Sequence, residues 1–221
     1  MNGPGAWAAG KMRRVSFPRV VERRRFRWRG AIGVCLLAPA AIVASLSEPL
    51  VAANSHLALA CDALAWVAFL GGASLRFWAT LFVGGRKNEV VVADGPYSLC
   101  RHPLYLGSIV LGLSSALFLK SPLVAVAAAV VAAAYWLLTI PAEEERLAAT
   151  LGAPYRDYCE RVNRLWPSFR QFHSPPRVTI DVHALYLEAA RASRWVWLPL
   201  LGAALSHARA TDWWPQLFTA L

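Results

Sequence analysis

The chain has 221 residues and a formal net charge of +10, with 57% hydrophobic and only 16% charged residues. A typical soluble domain has roughly 25% charged residues, and the mean hydropathy of this chain is +0.40. The composition therefore argues against a water-soluble protein and indicates that lipid covers much of the surface.

The N-terminal residues 1–29 are strongly basic, with lysine or arginine at many positions from Lys11 to Arg29. Such a cluster occurs in nucleic-acid-binding proteins and also beside a first membrane span, where anionic lipid attracts it. The apolar run that begins at Gly30 favours the second alternative. We therefore predict a basic cytoplasmic segment in contact with membrane lipids, and no nucleic-acid partner.

Four apolar runs follow, and we predict that each forms a membrane helix. They cover residues 30–47, 57–83, 104–119 and 123–141. A helix needs roughly 20 apolar residues to cross the hydrocarbon core of a bilayer.

The third and fourth runs are separated only by Lys120, Ser121 and Pro122. So short a connection forces the two helices into an antiparallel hairpin. The fourth run is rich in alanine, and small residues allow helices to pack closely in lipid.

The second run contains a charged residue, Arg76, well inside the apolar stretch. A charge at this depth should face protein or a polar cavity, or extend to the interface. Both a functional role and structural pairing are compatible with this position.

Residues 142–173 are charged and aromatic, and residues 174–221 form an amphipathic and apolar extension. Within the extension we predict a helix on the membrane surface at residues 180–192. The apolar stretch 195–206 is short for a span, and it is compatible with a fifth helix, a re-entrant segment or an interfacial one.

Positive charge also marks the loops at residues 84–103 and 142–173, whereas the intervening loops carry little. The positive-inside rule places both loops and the N-terminus in the cytoplasm. The predicted fold is an all-α, multi-span transmembrane helix bundle of about four to five spans with a cytoplasmic pocket. Residues 30–173 form its membrane core, and residues 88–169 form the site.

Four cysteines occur, and none belongs to a CxxC pair: Cys35, Cys61, Cys100 and Cys159. We expect neither a metal site nor a disulfide framework. We expect the thiols to be buried and inert.

Two polar segments flank the hairpin. In the first, Gly95 and the proline after it indicate a turn, and Pro103 suits the first turn of the third helix. His102 then lies at the helix entrance, with Tyr105 on the same side. Gly107 leaves room for another group to approach the backbone.

The second polar segment carries Glu143 and Glu144 and ends the fourth helix near Gly152. The hairpin brings these carboxylates near His102 and Tyr105. Taken singly, such residues are common interface anchors or solvated helix starts, but their convergence indicates a pocket. One face of the following helix carries Tyr155, Tyr158 and Val162.

The chemistry of this pocket limits what it can hold. A helix N-terminus favours an anionic group, a carboxylate suits an ammonium group or ribose hydroxyls, and tyrosine rings attract a cation such as a sulfonium. Together these groups fit S-adenosylmethionine, and they also fit a nucleotide cofactor.

A series of short motifs runs through residues 88–169. In order, the motifs are Gly95-x-Tyr97, Arg101-His102-Pro103-x-Tyr105-x-Gly107, Glu143-Glu144-x-x-Leu147, Gly152-x-x-Tyr155-x-x-Tyr158-x-x-x-Val162 and Pro167. This pattern resembles the isoprenylcysteine carboxyl methyltransferase and phospholipid methyltransferase superfamily. The resemblance implies an integral membrane methyltransferase with S-adenosylmethionine in a cytoplasmic pocket and a lipophilic acceptor that enters from the bilayer.

The resemblance also implies site residues. By position, the cofactor contacts of the family fall on Glu89, Val90, Val91, Val92, Tyr97, His102, Pro103, Leu104, Tyr105 and Glu143, with Gly107 and Glu144 in the same motifs. We assign catalytic roles to Glu144 and Arg164. Either Glu144 or His102 could act as the base for an amine acceptor, and Arg164 could supply a cation on the acceptor side.

Two positions depart from the family's prenylcysteine enzymes. Those enzymes usually have His at the position of Glu89 and Arg at the position of Thr139. An Arg there would suit a prenylcysteine carboxylate, so Thr139 puts that acceptor in doubt.

We expect the methyl group to move by direct in-line displacement, helped mainly by placement and desolvation. The acceptor atom, in a carboxylate, a thiol or an amine, stays open. One alternative is an NADPH-dependent membrane reductase of the sterol reductase type, although the Glu143-Glu144 pair disfavours phosphates. The other is a non-catalytic membrane scaffold with the same fold.

Overall fold

The computed structural model describes residues 33–52, 55–85, 90–211 and 213–218 of the chain. In these ranges the secondary structure is helical, apart from one isolated bridge between Ser47 and Phe218. The predicted all-α class is therefore confirmed for the described part of the chain. The predicted basic segment at residues 1–29 lies outside it.

The described ranges contain nine α-helices, which we number in chain order. Their bounds are α1 Gly33–Ser45, α2 His56–Val83, α3 Pro96–Leu99, α4 Pro103–Leu119, α5 Pro122–Ala134, α6 Ile140–Leu151, α7 Ala153–Arg161, α8 Val182–Trp195 and α9 Trp197–Ala208. A π-helical turn, Tyr135–Thr139, joins α5 to α6, and a 3-10 turn covers Phe169–Gln171.

Two helices in the described ranges are long and apolar enough to cross a membrane by length and composition. They are α2 and the continuous helix Pro122–Leu151, whereas α1 and α4 are apolar but shorter. Exposed apolar side chains such as Leu59, Val67 and Leu138 give the bundle an outer surface suited to lipid. Each of the four predicted apolar runs thus corresponds to a helix, and the number of spans stays a prediction.

Helices α2 and α4 pack closely because two glycines face each other at their contact. A Cβ at Gly72 would lie 2.9 Å from the Gly107 carbonyl oxygen, and a Cβ at Gly107 would lie 2.8 Å from the Gly72 carbonyl oxygen. A side chain at either position would push the helix backbones apart. The group that approaches the backbone at Gly107 is therefore α2.

The predicted hairpin between α4 and α5 is confirmed. Lys120 adopts a left-handed conformation at φ 49° after α4, and Ser121 caps α5 by accepting a hydrogen bond from the Val124 N–H. The Lys120 ammonium group also forms an ion pair with Asp62 of α2. This end of the bundle lies away from the two polar segments.

The helix built from the fourth apolar run continues past Pro141 to Leu151. Proline has no N–H for the helical hydrogen bond and crowds the preceding turn. A π-helical turn accommodates it, in which the Ile140 N–H donates to the Tyr135 carbonyl five residues earlier. The helix ends at Gly152, where φ is 69°, as the sequence predicted.

The position of α8 differs from our prediction, whereas α9 agrees with one alternative for residues 195–206, a fifth helix. We expected residues 180–192 to lie on the membrane surface, but α8 runs antiparallel along α2 and α9 continues along α4. Asp181 packs near Gly84 at one end of α2, and further along α8 the Glu188 carboxylate pairs with Arg76. Glu188, which lies within the predicted surface helix, is thus buried against a charge inside the bundle.

The end of the bundle near the hairpin is closed by Arg209, which follows α9. Its buried guanidinium group donates to the carbonyl oxygens of Ser47, Glu48 and Leu119 at 3.0–3.1 Å. These carbonyls belong to the ends of α1 and α4, where helical partners run out. The C-terminal extension is therefore bonded to the core.

Candidate functional site

The first motif forms the entry to α4. Gly95 has φ 58°, and a Cβ there would lie 2.5 Å from Cζ of Phe82, so both the backbone conformation and the space require glycine. Pro103 opens α4 and the buried His102 precedes it. The rings of His102 and Tyr105 lie 5.8 Å apart at the start of the helix, on the same side as predicted.

Residues 162–173, which we name the roof segment, lie against this motif. The Arg101 N–H donates to the Asn163 carbonyl at 2.8 Å, and the Ser168 N–H donates to the Leu99 carbonyl at 2.9 Å. These backbone bonds hold the roof segment over the beginning of α4.

Glu144 of α6 lies among three cationic or ionisable side chains. Arg164 of the roof segment donates from Nη2 to Oε2 at 2.7 Å and from Nε to Oε1 at 3.3 Å. Nε2 of His102 and Nε of Arg101 each lie 3.1 Å from Oε1, although the Arg101 N–H is not aligned for a hydrogen bond and contributes through charge. The Arg164 guanidinium group also lies 5.4 Å from the centre of the Trp136 ring. One carboxylate therefore joins the start of α4, α6 and the roof segment.

Glu143, one residue earlier, faces a group of tyrosines. It is only 6% exposed, and it accepts a hydrogen bond of 2.6 Å from the Tyr105 hydroxyl. The Tyr105 ring packs against Tyr135 of the π-helical turn, with 5.3 Å between centroids. The predicted meeting of His102 and Tyr105 with the two glutamates is confirmed.

Helix α7 closes the other side of the roof segment with a buried apolar and aromatic face. Tyr155, Tyr158 and Val162 pack together, as predicted from their spacing. The Tyr158 hydroxyl donates to the Tyr97 carbonyl at 2.7 Å, and burial raises the pKa of both phenols, so they stay protonated at neutral pH. The Tyr155 hydroxyl is buried and has no hydrogen-bond partner among the described residues.

The remaining predicted cofactor contacts occupy different surroundings. Val91 packs on the Tyr155 side and Val92 on the Tyr97 side, so the two valines face apart. Val90 is half-buried, Pro103 is fully buried and Leu104 packs with the Tyr97 cluster, whereas Gly107 lies against α2 and Glu89 lies outside the described residues. Their roles as cofactor contacts stay predictions.

Two residues at the cluster were absent from the predicted site: Arg101 and Tyr135. Arg101 directly precedes His102 in the motif, and its side chain also donates to the Cys159 carbonyl at 2.7 Å. Tyr135 lies eight residues before Glu143, about two helical turns away on the same face. The sequence therefore pointed to both residues, to Arg101 through its place in the motif and to Tyr135 through its helical spacing from Glu143.

The four thiols differ in their surroundings. Cys35 is exposed and Cys61 and Cys159 are half-buried, so the expectation that all four are buried was wrong; Cys100 is buried. Among the described residues no three His, Cys, Asp or Glu side chains group together as a metal site would require.

Cys100 should resist alkylation in the folded protein. Burial raises the pKa of its thiol to about 11, and the thiolate is the reactive form. We expect maleimide to leave Cys100 unmodified at about pH 7.5 while denatured protein reacts fully, as measured by peptide mass spectrometry. Equal labelling rates in the folded and denatured protein would contradict this prediction.

Comparison with known proteins finds similarity in the same part of the chain. Residues 56–149 match the profile of the isoprenylcysteine carboxyl methyltransferase (ICMT) family. The matched region extends from α2 into α6 and includes both the His102–Tyr105 motif and the two glutamates. It ends before α7, the roof segment and α8.

Three curated relatives show partial similarity. The cobalt-zinc-cadmium resistance protein CzcN of Cupriavidus metallidurans is 31% identical over 109 residues, which is 48% of this chain and 49% of that protein. The nickel-cobalt-cadmium resistance protein NccN of Alcaligenes xylosoxydans xylosoxydans is 27% identical over 140 residues, 63% of this chain and 65% of that protein. Protein-S-isoprenylcysteine O-methyltransferase B of Arabidopsis thaliana is 35% identical over 76 residues, 34% of this chain and 39% of that protein.

The matched segments thus span between 39% and 65% of these relatives, and no solved structure matches the chain significantly. The profile match and the plant relative agree with the motifs in the sequence. Residues 56–149 are therefore similar to the isoprenylcysteine carboxyl methyltransferase family.

Proposed function

We propose that the protein is an integral membrane methyltransferase that moves the methyl group of S-adenosylmethionine to a lipophilic acceptor. The observation that carries this proposal is the meeting of His102 and Tyr105 with Glu144 and Glu143 at the mouth of the hairpin. These residues lie inside the region that matches the methyltransferase family.

The donor set at this place fits S-adenosylmethionine. Glu143 is a buried carboxylate suited to an ammonium group or ribose hydroxyls, and the Tyr105 and Tyr135 rings offer faces to a cation. The unpartnered Tyr155 hydroxyl supplies a further polar atom behind the roof segment. A buried group without a partner costs free energy unless something binds it.

The residues of the chain act in this reaction mainly by placement. When bound, the cofactor supplies an activated methyl group on a sulfonium. Tyr105, Tyr135 and Glu143 hold and orient charged and hydroxyl groups, and the roof segment excludes water from above. The acceptor atom then needs only an in-line approach from the lipid side.

The contacts of Glu144 and Arg164 refine the catalytic roles that we predicted for them. A carboxylate bound by one arginine at two atoms, beside a second arginine and a histidine, is a weak proton acceptor. We therefore propose that the Glu144–Arg164 pair positions the roof segment, and that His102 is the better base for an amine acceptor.

The orientation in the membrane follows from charge and aromatic residues. The described residues of the polar segments 84–103 and 142–173 meet at one end of the bundle, which we propose is cytoplasmic in a multi-pass protein. The outer side of the roof segment exposes Trp166 (81%) and Phe169 (77%). Tryptophan side chains are enriched at the membrane–water interface.

Isothermal titration of the detergent-purified chain with S-adenosylhomocysteine tests the proposal. We expect binding to the wild-type protein, and an affinity at least about tenfold weaker in Glu143→Gln, which is about 1.4 kcal/mol. Glu145→Gln is the matched control, since Glu145 is exposed two residues further along the same helix. Absence of binding by a folded wild-type sample, or equal binding by the Glu143 variant, would refute the proposal.

A titration with NADPH and a turnover assay separate the alternatives. A sterol-reductase-like protein would bind NADPH, whose phosphates the buried Glu143 carboxylate disfavours. A scaffold without catalysis would show no turnover of labelled S-adenosylmethionine against a lipid extract. Identification of the labelled lipid would name the acceptor.

A further inference from the structure

Arg76 occupies a central position between three helices. It lies in α2, within an apolar stretch, and reaches both α4 and α8. Nε and Nη2 each lie 2.8 Å from Oε1 of Glu188, and Nη1 donates to the Leu104 carbonyl at 3.1 Å and to the Ser108 hydroxyl. The Trp195 ring lies 4.7 Å from the guanidinium carbon. All three nitrogens of the guanidinium group therefore have a polar partner.

Glu188 is the most completely buried charged residue of the described ranges, at 1% exposure. Its second oxygen accepts a hydrogen bond of 2.7 Å from Arg191, one turn further along α8. Removing such a group from water costs several kcal/mol, and an ion pair repays that cost only with complete hydrogen bonding. An apolar pair at this position would stabilise the fold equally well. We therefore infer that the two charges have a role other than stability.

The position of Arg76 on α4 suggests that role. Leu104 lies in the first turn of α4, between His102 and Tyr105. The stem of Arg76 also fills the space beside Gly107, where an added Cβ would lie 2.6 Å from the Arg76 Cγ. One side chain thus clamps the two turns that present His102 and Tyr105 to the glutamates.

We propose that Arg76, oriented by Glu188 of α8, is a positioning residue of the methyl-transfer site. The Glu188 carboxylate fixes the guanidinium plane, the guanidinium group fixes the first turns of α4, and those turns fix His102 and Tyr105. This inference rests on the proposed function. It makes the C-terminal extension, which lies outside the matched region 56–149, part of the functional unit.

Four variants of the full chain test the inference: Glu188→Gln, Arg76→Lys, Arg76→Met, and the double variant Arg76→Met with Glu188→Met. Two quantities are measured, the affinity for S-adenosylhomocysteine by titration and the amide hydrogen exchange of residues 102–108. The matched control is Asp62→Asn, which breaks the Lys120–Asp62 ion pair at the other end of α2.

We expect Glu188→Gln to weaken binding about tenfold and to speed exchange at residues 102–108, with Asp62→Asn unchanged in both. Arg76→Lys should recover part of the affinity that Arg76→Met loses, because it keeps the charge but not the planar fork. The double variant should melt close to wild type yet bind weakly, since both buried charges are removed and Arg191, whose side chain is 44% exposed, is hydrated instead.

Two outcomes would overturn the inference. One is wild-type affinity and wild-type exchange in folded Glu188→Gln, and the other is a double variant that recovers affinity together with stability. If the wild-type protein binds no S-adenosylhomocysteine, the proposed function fails, and hydrogen exchange at residues 102–108 alone then decides whether Arg76 and Glu188 position α4.

Discussion

Replacing Glu144 with alanine should release the roof segment from α6. The change leaves Arg101, His102 and Arg164 around an empty space at a site where the Glu144 side chain is only 14% exposed. Removing one partner of a buried charge cluster costs roughly 3–5 kcal/mol. For a domain of this size, such a loss lowers the melting temperature by about 10 °C.

The rate of trypsin cleavage measures the release of the roof segment directly. Arg164 is held by two hydrogen bonds to Glu144 in the wild-type protein, so cleavage after Arg164 should become much faster in Glu144→Ala. Glu145→Ala, on the exposed neighbouring position, is the control and should melt and cleave like the wild-type protein. A Glu144→Ala variant with wild-type melting and cleavage would show that the roof segment is held by its backbone bonds alone.

Enlarging Gly107 should disrupt the contact between α2 and α4. In Gly107→Val the new Cβ would meet the Gly72 carbonyl oxygen at 2.8 Å and the Arg76 side chain at 2.6 Å. The backbone cannot yield without parting the helices, and displaced Arg76 would lose its bonds to α4. Overpacking of this kind costs about 1–3 kcal/mol before the lost bonds are counted, so we expect little folded protein after purification.

Alanine variants make the effect measurable. Gly107→Ala should lower the melting temperature, whereas Gly71→Ala should not, because a Cβ at Gly71 meets nothing within 4 Å. Helix propensity alone would favour alanine over glycine by up to about 1 kcal/mol at both positions. Equal melting of the two variants would contradict the close approach of α2 and α4.

The core of the site was predictable because it depends on local features. A connection as short as Lys120-Ser121-Pro122 forces a hairpin. The second helix of a hairpin runs back to the end of the bundle where the first helix began. His102 and Tyr105 at the start of α4 therefore had to meet Glu143 and Glu144 near the end of the returning helix. The pairing within this group was not predictable, since side-chain length and helix rotation decide that Tyr105 reaches Glu143 and His102 reaches Glu144.

The position of the C-terminal extension could not be predicted from the sequence patterns. The amphipathic spacing around Glu188 is equally compatible with a surface helix and with a helix whose polar side meets a buried charge. The contact of Glu188 with Arg76, which lies 112 residues away in the chain, decides between these two positions of the helix. The same holds for the roof segment, whose position depends on backbone bonds between distant residues such as Arg101 and Asn163.

The sequence by itself determined the helical class, the apolar runs, the hairpin and the motif residues that resemble the methyltransferase family, because composition, periodicity and short loops act over a few residues. The tertiary structure decided which charge neutralises which: Glu144 against Arg164 and Arg101, and Glu188 against Arg76. Each of these charges had several possible partners, and the choice depends on how helices distant in sequence pack against one another.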